Sequence, residues 1–434
     1  MRISLFQGIL IGVFGLGALI GLFVFATYSG SGGARMIGPV IIWGTLPKAN
    51  IQSTLTALAQ TNETLKNVSY VQKSPATLPT ELASVIATGA PPDLVLASQE
   101  ELHTLAKFIT PIAPATLSAS AFTNAFIEGG GIFTAPFGAG YYGVPFLIDP
   151  LVLFSNRSIL SSLGIARAPA TWEALTGLVP NVAILTPSRQ ITRGLIALGA
   201  YSNVHGARAI LSTLFLQTGI PLSVYATDGS LAANLDSDTT DGVPPGQSVL
   251  GFYTQFADPS KVSYTWNPSL PDSQQSFLAG DLALYLGYAS EARFLTSANP
   301  NLNFVVTPIP QPATATVKST YGLIYAFMIP RGAKNTAGAY QVAVLFTNSA
   351  EQTAFASATG LAPATLNALV AMPGSPVAAV AYDEALYTRG WLSPMPADTD
   401  QVFSGMIGNV ISGRSLPATA LVSAEQSLSA LLQQ

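Results

Sequence analysis

The sequence predicts an α/β protein behind an apolar N-terminal segment. Strand-like and helix-like apolar patterns alternate from residue 40 onward. No charge falls between Arg2 and Arg35, and residues 5–26 (LFQGILIGVFGLGALIGLFVFA) are almost unbroken in apolar character. Hydrophobic residues make up 49% of the chain and charged residues only 9%, against about 25% charged in an ordinary globular domain. One membrane segment does not absorb that surplus, so the rest must expose a sparsely charged surface of Ser, Thr, Asn, Gln and Ala.

At 1.5 Å per residue, a helix over residues 5–26 is long enough to cross a hydrocarbon core of about 30 Å. The expectation is an anchor or uncleaved signal over residues 1–27. The alternative is a cleaved signal, because Val24 and Ala26 form a small-residue cleavage pattern before Thr27. Residues 28–36 (SGSGGA at their centre) read as a flexible linker. With no second span, the remaining chain is expected on one side, outside the cell membrane.

Residues 40–45 (VIIWGT) read as a buried strand, and Ile51, Leu55 and Leu58 as a helical face. VSYVQ is a second strand. A helix carrying Leu82, Val85 and Ile86 leads to the strand DLVLA, and another helix spans 99–108. Residues 129–143 read as loop or hairpin. GAGYYG there matches a dinucleotide fingerprint in form only, since the segment after it is a strand rather than a helix. From 150 to 315 a second α/β unit follows, with a helix capped by Thr171, a strand at 182–187 and helices at 190–200, 207–217 and 246–258. The strand LALYLGY, a helix and the strand FVVTPIP close that unit. The last third holds a strand at 321–330 and helices at 336–347, 349–359 and around 402–411, then a final helix opened by Pro417.

The chain has no cysteine, which excludes disulfides, thiolate metal sites and a cysteine nucleophile. A net charge of −4 without a basic cluster argues against nucleic acid. His103 and His205 lack partners at metal spacing, and DSDTTDG (236–242) departs from a calcium loop in the placement of its glycine. No metal and no cofactor is expected.

Several segments, in order, resemble the family 1 extracellular solute-binding proteins of ABC importers, the maltose-binding-protein-like group. They are YGVPFLIDPLVLFSN (142–156), APATWEAL (168–175), FLAGDLALYLGYASEARF (277–294), NPNLNFVVTPIP (299–310), the helix pair ending in TGLAPA, and VISGRSLPATAL (410–421). The resemblance spans residues 37–434. It implies an α/β, two-lobed periplasmic-binding-protein-like (type II) fold with an inter-lobe cleft. Residues 37–147 with 320–375 would form lobe one, and 148–319 with 376–434 lobe two. It also implies a monomeric, non-enzymatic protein that captures a small solute, a sugar being favoured, by hinge closure and delivers it to an ABC permease. The family's anchoring cysteine is absent, so the apolar N-terminal helix would hold this protein at the membrane. The alternatives are the same fold used as a sensor or scaffold, or an extracellular carbohydrate-active enzyme built on paired carboxylates.

On that fold the chain changes lobes near 144–150, where Asp149 would face the cleft and accept ligand hydroxyls, or cap the loop at Asn156 or Arg157, or simply see solvent at the hinge. Pro150 is tolerated where a strand leaves its sheet. Trp43, Tyr142, Tyr288, Tyr321 and Trp391 sit at strand ends or in loops, where they would stack on sugar rings or pack in the core. Glu291 would bond ligand or sit on a solvated helix end. Trp172 and Trp266 read as structural.

Overall fold

The computed structural model describes residues 37–236, 242–371 and 373–433. The expected membrane helix, the linker and most of the calcium-like turn lie outside these residues. Among the described residues no helix is long and apolar enough to cross a membrane.

Eleven strands join into one hydrogen-bonded sheet system. Val40–Gly44 pairs in parallel with Val68–Gln72 on one side and Leu94–Ser98 on the other. Thr320–Met328 runs antiparallel to Leu94–Ser98 and to the long strand Gly143–Asn156. The far half of that strand then pairs with Leu282–Tyr288 and Phe304–Thr307. Leu282–Tyr288 passes the sheet on, in parallel, to Ile191–Ile196. Two strands, Gly143–Asn156 and Thr320–Met328, are therefore common to both lobes. The buried apolar residues form two clusters, the larger of which also takes in Leu78, Leu82, Leu102 and Leu105 from the first half of the sheet. Phe146, Phe327, Phe346 and Phe355 centre one cluster, and Phe154, Phe277, Tyr285, Tyr253 and Trp266 belong to the other.

Gly143–Asn156 is buried over all its length, which its near-continuous apolar run requires. It does not break at Pro150, as an exit from one sheet would. Gly143–Pro150 pairs with Thr320–Met328, and Leu151 opens the pairing with Leu282–Tyr288. Proline thus sits at the rung where the strand changes partners, so its missing N–H falls between two ladders. Helix Pro376–Tyr387 packs on this strand and on Thr320–Met328 near the crossing.

One expected helix is a strand. Residues 190–200 form Ile191–Ile196 and a loop, not a helix. Ile191 and Leu195 mimic a helical repeat, but the β-branched Ile191, Thr192 and Ile196 favour extended backbone. Gly194 lets the strand lie against its neighbours: a Cβ there would meet the Thr265 carbonyl at 2.9 Å.

Candidate functional site

Alternation along the two crossing strands sorts their side chains. Asp149 pairs with Leu323, which puts it on the same face as Tyr321 and Tyr325. Leu151 shares that face and pairs with Tyr288. Ile148 and Ile324 point the other way, under the turn Glu128–Phe133, where a Cβ on Gly129 would lie 3.1 Å from Ile324.

The Asp149 face holds a dense polar cluster. Asp149 is 5% exposed, and its carboxylate accepts from the Ser290 N–H at 3.1 Å and the Ser290 hydroxyl at 2.6 Å. Burial pushes its pKa up to about 7, the Ser290 bonds pull it down, and Glu291 adds a further upward push. Asp149 therefore bonds Ser290 rather than the loop at Asn156 and Arg157, and its burial keeps it from open solvent at the hinge; Asn156 caps its own helix by accepting from the Ile159 N–H. Glu100, in the first turn of helix Gln99–Leu105, accepts from the Tyr321 hydroxyl at 2.5 Å. Gln99 donates to Tyr321 at 3.2 Å and accepts from the Ile324 N–H at 2.6 Å. Arg208 donates to Glu100 and Asp400, and Tyr201 donates to Asp400 at 2.6 Å. Burial next to Glu100 holds the Tyr288 and Tyr321 hydroxyls well above the usual phenol range, so both stay protonated. Burial, with Asp149, Glu101 and Glu100 nearby, does the same for Tyr325. The Tyr288 and Tyr325 hydroxyls have no hydrogen-bond partner among the described residues. They are donors facing carboxylates on a wall contributed by both lobes.

Glu291 is neither a free ligand contact nor a solvated helix end. One oxygen accepts from the Tyr288 N–H at 2.8 Å, and the other from Gln274 at 2.7 Å and from Tyr285. It fixes the turn that carries Tyr288. Trp43 stands apart, half-buried on the first strand with the Lys73 ammonium 3.9 Å from its ring centre.

Tyr142 and Trp391 are not brought to Asp149. Trp391 is 4% exposed, donates to Ser212 at 3.0 Å and stacks on Phe403. It borders a groove of about 1580 Å³ whose walls include Gly129 and Pro136 of lobe one and Trp172, Gln217 and Tyr225 of lobe two. Because Gly129 packs under Ile324, this groove opens on the face of the crossing strands opposite Asp149. Tyr142 lies within electrostatic reach of Tyr225, toward the same side. Trp172 keeps a structural role through its bond to Gln217 at 2.7 Å, but it also lines this groove.

Sequence reasoning passed over Glu100, Arg208, Tyr325 and Asp400. Arg208 offered a signal: it is the one charge in the otherwise apolar helix Ala207–Leu216, and such a charge needs a buried partner. Glu100 follows directly on a parallel strand's C-terminal end, where open α/β sheets bind ligands. Among the described residues no group of acidic or histidine side chains is arranged to hold a metal.

Comparison with known proteins then decides the family. The family described as bacterial extracellular solute-binding protein matches residues 57–380. This chain belongs to that family. It is a family of binding proteins rather than enzymes. Solved structures repeat the two-lobed architecture. The cyclic alpha-maltosyl-1,6-maltose binding protein from Arthrobacter globiformis superposes with a TM-score of 0.73 at 14% identity, over 91% of this chain and 100% of its own. The GacH receptor of Streptomyces glaucescens, solved unliganded and with acarbose, gives 0.66 at 16% identity over 92% and 99%. The maltose/maltodextrin-binding domain MalE from Bdellovibrio bacteriovorus, bound to maltotriose, gives 0.65 at 16% identity over 91% and 100%. At these identities the likeness is one of fold. No curated protein matches the chain.

Proposed function

We propose that this solute-binding protein captures a sugar or oligosaccharide between its lobes and hands it to an ABC permease. The apolar N-terminal segment would hold the domain at the outer face of the cell membrane. Lobe one would comprise residues 37–147 with 320–375, and lobe two 148–319 with 376–434. The observation that carries this reading is the convergence of Asp149, Glu100, Tyr288 and Tyr325, from both lobes and the crossing strands, on one face. Carboxylates accept sugar hydroxyls, and phenol rings and hydroxyls offer a stacking face and a donor together. Three structural relatives bind maltose- or acarbose-type ligands, which supports the same ligand class here. Ligand contacts to both lobes would favour the closed form by their differential affinity.

The test is calorimetric titration of the full-length protein with maltotriose, maltotetraose and acarbose. Binding that weakens at least tenfold in Tyr288→Ala supports the reading, and the absence of heat with every sugar counts against it. A second location is favoured by the volume of the groove lined by Trp172 and Tyr225. If Tyr225→Ala abolishes binding while Tyr288→Ala leaves it intact, the sugar sits behind the crossing strands instead.

A further inference from the structure

A buried carboxylate forfeits its hydration and needs a counter-charge or a full set of donors in return. The acids around the Asp149 face differ in what they receive. Glu100 is matched by Arg208, whose Nε and Nη2 stand 3.1 Å and 3.0 Å from its two oxygens, and Nη1 of the same guanidinium goes to Asp400 at 2.8 Å. Arg208 is thereby spent. Glu101 braces the start of its own helix, one oxygen accepting from both the N–H and the hydroxyl of Ser98 at 2.8 Å. Asp149, 5% exposed, has only the neutral donors of Ser290. None of the ion pairs among the described residues includes it. The charged side chain that bears on it is a second carboxylate, Glu291.

Two tyrosines flank this carboxylate. Tyr325 pairs with Leu147 and Tyr288 with Leu151, the residues two before and two after Asp149 on the same face of its strand. Each rung is about 7 Å along the strand from Asp149, and the two rings come from the strands on either side. Both are half-buried. Their hydroxyls lack a hydrogen-bond partner among the described residues and lie within electrostatic reach of Asp149 and of each other. A phenol attracts a cation over its ring face, and its oxygen accepts an N–H.

We infer that the solute is an amino sugar, held with its ammonium on Asp149 between Tyr288 and Tyr325. The inference rests on the sugar-capture reading for the carbohydrate part of the ligand, whereas the positive charge follows from Asp149 and its neighbours alone. An ammonium gives Asp149 the counter-charge that Ser290 cannot, and charge-assisted bonds are about twice as strong as neutral ones. A neutral sugar meets the same wall without that gain. Burial pushes the Asp149 pKa up to about 7, so at pH 6 it carries a proton that an adjacent cation expels.

Calorimetric titration of the full-length protein in detergent at pH 6 compares three trisaccharides: the glucosamine trimer, its N-acetylated counterpart and maltotriose. We expect the glucosamine trimer to bind at least about tenfold more tightly than either neutral one. Its heat should vary with the ionisation enthalpy of the buffer in the sense of proton release, and the heats of the neutral trimers should not. Asp149→Asn, which keeps the side chain's size and removes its charge, should level the three affinities and abolish the release. Equal affinities in the parent, a preference that persists in Asp149→Asn, or binding of the amine without proton release overturns the inference. The proton release is read on the parent alone, which keeps the test decisive should Asp149→Asn fail to fold. If only the neutral trimers bind, the sugar reading stands and the amino-sugar inference falls. If no trisaccharide binds but spermidine binds the parent and not Asp149→Asn, the positive charge stands and the sugar reading falls. If none of the four binds, both fall.

Discussion

Asp149, Glu101 and Glu384 are carboxylic acids in places that disfavour their charge. Burial raises Asp149 and Glu101 to about 7 and Glu384 to about 8. Glu384 is 1% exposed, and one of its oxygens has no partner. The unfolded chain releases these protons near pH 4, whereas the folded chain keeps them until pH 7 to 8. Their contribution to stability is therefore complete below about pH 4 and is lost as pH rises through 7 to 8. Thermal unfolding followed from pH 5 to pH 9 should show a falling midpoint, and Glu384→Gln should flatten that fall, standing above the parent at pH 9 and level with it at pH 5. A midpoint that rises over this range would contradict the burial argument. The identities of these residues are plain in the sequence, but their protonation is not, because it depends on which chain segments exclude water from them.

At the scale of elements, the crossing of Gly143–Asn156 with Thr320–Met328 is the tightest joint. Gly322 pairs with Pro150, and a Cβ there would meet the Asp149 carbonyl at 2.8 Å and the Pro150 backbone at 2.9 Å. Gly322→Ala should cost about 1–3 kcal/mol, as overpacking does, measured by urea unfolding; a neutral result would mean the crossing strands separate more easily than their contacts imply. Phe355, on helix Ser349–Thr359, packs against Phe146 and Phe346. Its truncation to Ala should cost about 3–5 kcal/mol, whereas Trp43→Ala, at a half-buried ring, should cost far less. Periodicity revealed most of these elements. It failed at Ile191–Ile196, where a spacing of four mimicked a helix and only the ladder to Leu282–Tyr288 settled the matter.

For the whole molecule, capture and stability are linked. A solute that binds only the folded, two-lobed form raises stability by about 2.7 kcal/mol at a hundredfold excess over its Kd. A saturating oligosaccharide should therefore shift the melting midpoint upward, and Tyr288→Ala should remove that shift without lowering the ligand-free midpoint by the amount of a core truncation. The residues alone determined the α/β alternation, the family's ordered motifs, the thiol-free and sparsely charged surface, and Asp149 as an anomaly at a strand crossing. Those are local or periodic properties, written along the chain. Only the tertiary structure decided that Tyr142 and Trp391 face away from Asp149, that Glu291 braces a turn, and that Arg208 meets Glu100 across more than a hundred residues. Such contacts depend on strand register and on which face each side chain takes, and a single-residue change in register reverses the face without altering the pattern along the chain.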